Sequence, residues 1–151
     1  MLITKEIHLH MGHRIPNHKS KCRNLHGHTY RIEVGVNDKI VSQEGSSDEG
    51  MVIDFADLKV IMLETIYDVF DHGFVLFDKD ELFETFNTLK KVNEQKVIFV
   101  SFIPTVENLS RHWFELLDPE LREVGINLQH VKAWESPTST AIYTKEDNDG
   151  K

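Results

Sequence analysis

Apolar and polar residues alternate cleanly in one early stretch, where Tyr30, Ile32, Val34 and Val36 fall on one side and Arg31 and Glu33 on the other, predicting a strand over 28–37. The segment before it, 3–15, also reads as extended, though without clean alternation, and ends at Pro16; a loop over 17–25 joins the two. Residues 38–50 are polar and carry Gly45, Ser46, Ser47 and Asp48, the composition of a hairpin or surface loop. Asp54 is placed to cap a helix in which Phe55, Leu58, Ile61, Met62, Ile66 and Val69 recur at helical spacing, ending near Phe70. A second, shorter amphipathic helix is predicted over 78–93 and a strand over 96–102. Thr105 caps a further helix with Val106, Leu109, Trp113 and Leu116 or Leu117 on its buried side, and Pro119 lies just beyond its end. Two short strands, 130–135 and 140–145, flank a turn-like Ser136-Pro137-Thr138-Ser139, and 146–151 is expected to fray. Strands at both ends with helices between them predict an α+β fold, with helices over one face of an antiparallel sheet and a single domain over 1–145.

Composition narrows the function. The 151 residues are 40% hydrophobic and 28% charged, as in ordinary globular proteins, and no apolar run approaches the roughly 18 residues of a membrane span. The N-terminus carries no basic segment followed by an apolar stretch and a cleavage site, so the cytoplasm is the expected location and no membrane the expected partner. A formal charge of −8 argues against general nucleic-acid binding, which depends on clustered Lys and Arg. The five basic residues Arg14, Lys19, Lys21, Arg23 and Arg31 nevertheless span a stretch with no acidic one. Such a patch suits a small anionic ligand; the alternative is a solvated basic loop.

Six of the nine histidines (His8, His10, His13, His18, His26 and His28) fall within the first 28 residues. In His26-Gly27-His28 the two imidazoles are at i and i+2, which an extended chain places on one face. His13, at the end of the preceding strand, can supply a third nitrogen, giving the three histidines and open position of a catalytic zinc site. Neutral imidazoles favour zinc over magnesium or calcium. His8 and His10, also at i and i+2, define a rival ligand set.

Cys22 is the only cysteine, so no intrachain disulfide exists. Its basic neighbours Lys19, Lys21 and Arg23 favour a thiolate that could abstract a proton; a buried inert thiol and a fourth ligand of a structural zinc site are the alternatives. Asp71-His72 follows the first predicted helix and could form a proton-transfer pair. Glu135 closes a predicted strand, where a carboxylate could accept two hydrogen bonds from the amidine-like edge of a pterin or guanine ring, or simply face solvent.

Taken in order, His13-Arg14-Ile15-Pro16, Cys22, His26-Gly27-His28, Asp71-His72, Pro104-Thr105-Val106-Glu107-Asn108-Leu109 and Glu135-Ser136-Pro137-Thr138 resemble the 6-pyruvoyl-tetrahydropterin synthase family over nearly the whole chain. Cys22, with three residues between it and His26, resembles the 6-carboxy-tetrahydropterin synthase branch, since animal-type pyruvoyl synthases have a longer gap. The resemblance implies a tunnelling fold: a four-stranded antiparallel sheet with two main helices on one face, forming a barrel as trimers and then a homohexamer with active sites between subunits. It also implies 7,8-dihydroneopterin triphosphate as substrate, with 6-carboxy-tetrahydropterin, acetaldehyde and triphosphate as products of a step in queuosine synthesis. The implied ligands of Zn2+ are His13, His26 and His28; Cys22, Asp71 and His72 are the implied catalytic set, and Glu135, Thr105, Arg14 and Lys21 the implied substrate-binding set.

Two stretches depart from the family pattern. The span between Asp71-His72 and Pro104-Thr105 is long, which predicts an added helix and strand at a subunit edge. Leu9 to Gly12 replaces the usual aromatic and small residues, which alters the packing around His13. Three functional readings follow: the carboxy-tetrahydropterin lyase, a pyruvoyl synthase of the same fold, and a non-enzymatic module in which Cys22 helps hold a structural zinc ion.

Overall fold

The fold was analysed in a computed structural model that describes residues 1–150. Its centre is a long antiparallel hairpin of β1 (Leu2–His13) and β2 (His26–Asn37), joined through a loop with a 3-10 turn at Lys21–Arg23. β1 alternates more regularly than its sequence suggests: Ile7, Leu9, Met11 and His13 are buried, whereas His8 and His10 are exposed. The strand stops at His13, short of the predicted Ile15.

β5 (Leu128–Ser136) and β6 (Ser139–Thr144) extend the sheet antiparallel beyond β2. These four strands match the expected tunnelling-fold sheet, but the full sheet has six, in the order β4-β3-β1-β2-β5-β6. The expectation of four strands is therefore corrected. β3 (Gly73–Phe77), which had no counterpart in the sequence reading, runs parallel to the end of β1, and β4 (Val97–Val100) runs parallel to β3. A five-residue strand buried on both faces lacks polar alternation and gives no period-2 signal. Between them α3 (Phe83–Val92) packs Phe86 against Leu76 and Val97 in a small separate core. The long span thus adds a helix and two strands at one sheet edge.

The main core lies on the other side of the sheet, under α1 (Phe55–Met62) and α4 (Val106–Glu123). Asp54 caps α1, its side chain accepting from the Ala56 N–H at 2.7 Å. The helical path continues through a π-turn, Leu63–Tyr67, into the short α2 (Asp68–Phe70). Its buried residues Leu58, Met62, Ile66 and Phe70 recur every fourth position. In a regular helix each such step drifts by about 40° around the axis. The wider π-turn absorbs that drift and keeps all four on the sheet.

α4 runs past its predicted end, with Pro119 inside it, because Leu117 and Leu121, one turn apart, are both fully buried and hold the last turn to the core. Of the segment expected to fray, residues 146–149 belong to α5 (Lys145–Asp149), capped reciprocally by Thr144 and Asp147, while Lys151 lies outside the described residues. Among the described residues no helix is long and apolar enough to cross a membrane.

Candidate metal centre and substrate cleft

The pairing of β1 with β2 assembles the histidines. His13 lies opposite His26, and Met11 opposite His28, so the three imidazoles share the helix-covered face at the loop end of the hairpin. Their ligand atoms lie within 4.8 Å of one another, and they form the one group of three or more such side chains among the described residues. His8 and His10 alternate onto the opposite face, which removes the rival set. Cys22 is outside the cluster.

The ring nitrogens are already sorted. His13 Nδ1 lies 2.7 Å from the Pro104 carbonyl and His26 Nδ1 lies 2.8 Å from the Asn24 carbonyl. A carbonyl only accepts, so each Nδ1 carries the proton and each Nε2 keeps a free lone pair. His13 Nε2 is buried and has no hydrogen-bond partner. An orphaned acceptor facing two more imidazoles fits a metal ion of the zinc type. Burial pushes the His13 pKa down, helped by His26 and His28 and opposed by the Pro104 hydrogen bond and Glu135. Burial likewise lowers that of His28. Both are thus held neutral, as ligands must be.

These shifts fix a pH dependence. With folded-state values below the ordinary 6.5, the unfolded chain takes up more protons in that window. Their contribution to stability is complete above 6.5 and is lost as the pH falls toward the folded-state values. Metal-free protein should therefore melt at a lower temperature at about pH 5.5 than at about pH 7.5. His28→Gln should reduce that difference; a dependence of unchanged size would remove His28 as a contributor.

Gly27 is required by close approach. A Cβ there would lie 2.8 Å from the Met11 carbonyl oxygen and 3.3 Å from Gly12 Cα, backbone that cannot move aside. Gly27→Ala should destabilise the protein by about 1–3 kcal/mol and weaken any metal binding at the cluster, because it splays the hairpin that carries all three histidines. Thermal melts and a zinc titration against a chromophoric chelator would measure both effects.

Glu135, at the end of β5, shares this face. Its Oε1 is 3.5 Å from His13 Nε2 and 3.7 Å from His28 Nε2, and it accepts from the Tyr30 hydroxyl at 3.4 Å. Burial and this carboxylate push the Tyr30 pKa far up, so the phenol remains a donor. Tyr30 was absent from the sequence-derived site, although its i+2 spacing from His28 marks it. His28 and Glu135 also border a cleft of about 530 Å³ whose other walls include His8, Arg31 and Trp134 from the opposite face of the sheet; His13 and His26 do not line it. A larger cavity, about 730 Å³, lies between α4 and β4 and contains none of the three histidines, so chemistry rather than size singles out the first.

The other expected residues are dispersed. Thr105 caps α4, accepting from the Asn108 N–H at 3.4 Å, and lies beside the Pro104 carbonyl that holds His13. Cys22 and Lys21 sit on the 3-10 turn, Cys22 half-buried and Lys21 exposed. Arg14 is buried and engaged by the insertion, with Asp80 Oδ2 at 3.3 Å and Glu81 Oε1 at 2.9 Å. Arg31 pairs with Glu6 at 2.7 Å and stacks 3.9 Å over Trp134. The basic stretch is thus partly neutralised in place, leaving Lys19, Lys21 and Arg23 exposed.

Asp71 and His72 lie at the sheet edge beside His10, on the face away from the main core. His72 Nδ1 donates to Asp71 Oδ2 at 2.6 Å, and its ring is 5.7 Å from that of His10. Burial works to raise the Asp71 pKa, but hydrogen bonds from the His10 N–H, His72 and Tyr67 outweigh it and hold the carboxyl below its ordinary value. His72 Nε2 is left toward solvent.

The sequence profile of the 6-pyruvoyl tetrahydropterin synthase family matches residues 2–146. The chain belongs to this family. Among curated relatives, the 6-carboxy-5,6,7,8-tetrahydropterin synthase of Haemophilus influenzae is 33% identical over 141 residues, covering 93% of this chain and 96% of that protein. That of Aquifex aeolicus is 33% identical over 132 residues, covering 84% and 78%. Of solved structures, an uncharacterized protein from Wolinella succinogenes superposes with a TM-score of 0.79 at 25% identity, over 96% of this chain and 98% of that one. The Caenorhabditis elegans 6-pyruvoyl tetrahydropterin synthase shares the fold, with a TM-score of 0.67 at 24% identity over 95% and 94%. Membership in the family accounts for the tunnelling-fold sheet.

Proposed function

We propose that this protein is a zinc-dependent 6-carboxy-5,6,7,8-tetrahydropterin synthase, a cytoplasmic carbon-carbon lyase of queuosine synthesis. It converts 7,8-dihydroneopterin triphosphate and water to 6-carboxy-tetrahydropterin, acetaldehyde and triphosphate, using residues 1–145 as one catalytic domain. The observation that carries this reading is the triple-histidine cluster with its orphaned His13 Nε2, beside the Glu135 carboxylate. The curated relatives bearing that activity's name support it.

His13, His26 and His28 would hold the zinc ion, which when bound supplies Lewis acidity to the substrate's side-chain oxygens. Glu135, fixed by the Tyr30 hydroxyl, accepts two hydrogen bonds from the amidine edge of the pterin, and Thr105 lines the same site. Cys22 takes the proton from the substrate side chain. Lys21 and its exposed basic neighbours face the triphosphate, whereas Arg14, paired with Asp80 and Glu81, is assigned to holding the insertion. Asp71 orients His72 so that Nε2 can pass a proton. Because this pair lies across the sheet from the histidine cluster, it serves the cleft of a neighbouring subunit, consistent with a hexameric dimer of trimers.

The alternative within the fold is the pyruvoyl synthase, which eliminates triphosphate without cleaving a carbon-carbon bond. The deciding experiment is incubation of zinc-loaded protein with 7,8-dihydroneopterin triphosphate, followed by analysis for acetaldehyde and pterins. Acetaldehyde with 6-carboxy-tetrahydropterin is the expected result. A pyruvoyl product would select the alternative, and no turnover would leave only a binding role.

A further inference from the structure

We infer that Lys96, contributed by the insertion between Asp71-His72 and α4, is a positioning residue that fixes the geometry of the Asp71–His72 pair. The inference rests on the proton-transfer role proposed for that pair. Lys96 stands immediately before β4, and its own carbonyl accepts from the Phe74 N–H at 2.9 Å, which anchors its backbone to β3. From there its Nζ reaches back to the end of α2 and donates to the Asp68 carbonyl at 2.9 Å and the Asp71 carbonyl at 2.7 Å. Carbonyls at a helix C-terminus lack intrahelical partners, and the helix dipole favours a cation there.

The second of these bonds bears on the site. The peptide unit joining Asp71 to His72 is held at both ends: Lys96 Nζ bonds its oxygen, and its N–H donates to the His10 carbonyl at 2.7 Å. His72 has φ of +56°, a left-handed conformation that a residue with a side chain adopts only under constraint. The plane of that peptide sets where the His72 ring leaves the backbone, and hence whether Nδ1 meets Asp71 Oδ2. The Asp71 side chain is separately held by the His10 N–H at 2.8 Å, so Lys96 acts on the His72 half of the pair. Without the ammonium, the peptide keeps only its N–H bond to the His10 carbonyl and can tilt about it toward a relaxed φ, so the imidazole loses its single orientation and its fixed tautomer. The insertion is in this way tied to the catalytic pair rather than appended to the sheet.

The test compares the zinc-loaded full-length protein with Lys96→Met, which keeps the aliphatic stem, and Lys96→Arg, which keeps a donor. In Lys96→Met, kcat should fall about tenfold or more while KM stays within about twofold and zinc content is unchanged. Lys96→Arg should restore most of the loss. Two-bond 1H–15N correlation spectra of the His72 ring, assigned with His72→Gln, should show one Nδ1-protonated tautomer in the parent and a mixture in Lys96→Met. An unchanged His72 spectrum in Lys96→Met would overturn the inference, as would a loss of kcat matched by a loss of folded protein. If the parent itself fails to turn over 7,8-dihydroneopterin triphosphate, the proposed function falls, and the ring spectra alone still decide the role of Lys96.

Discussion

His26→Ala is expected to remove zinc retention and turnover together. His26 is only partly buried and its ring contributes no core packing, so the metal-free fold should survive the change. Two imidazoles remain, His13 held by Pro104 and His28 on the cleft wall, and two nitrogens do not complete a zinc site. Loss of even an outer-shell partner typically costs about 10–100-fold in metal affinity or activity, so loss of a ligand should exceed about 100-fold. Zinc at about a thousand times its Kd should stabilise the parent by about 4 kcal/mol, a gain the variant should lose. Metal analysis after dialysis, with thermal melts with and without zinc, reads both effects. A variant that keeps one zinc per chain and the parent's rate would remove the three histidines from the mechanism.

Cys22→Ala should have nearly as large an effect on rate and almost none on metal or fold. The thiol sits on an irregular turn, outside the histidine cluster and outside the apolar core. Deleting a general base typically costs about 10²–10⁴-fold in rate. Acetaldehyde formation should therefore fall by that order while zinc content and melting temperature match the parent. Zinc loss and unfolding together would instead support the structural-zinc module, in which Cys22 is the fourth ligand and metal binding contributes directly to folding.

The chain declares its candidate metal site through strand period. His13, His26 and His28 could be chosen from sequence because i and i+2 residues share a face and because a strand–loop–strand pattern brings the two ends of a hairpin together. The second HxH, His8 and His10, carries the same local signal, and sequence alone does not separate them; the β1–β2 register does, by turning that pair to the other face. Glu135 likewise joins the site only because Ile32 pairs with Ala133, two residues before it on the same face.

What the sequence by itself determined was the family, the α+β class, the caps at Asp54 and Thr105, and the three histidines of the candidate metal site. Each rests on local pattern or on motif order, and neither needs three-dimensional coordinates. Tertiary structure alone decided the strand β3 and its parallel pairing with β1 and β4, the π-turn between α1 and α2, and the continuation of α4 through Pro119, because buried contacts there outweigh local preference. It also decided that Arg14 is occupied by Asp80 and Glu81, and that Lys96 and His10 pin the peptide between Asp71 and His72. Ion pairs and backbone hydrogen bonds between residues tens of positions apart leave no periodicity in the chain, so they are legible only once it has folded.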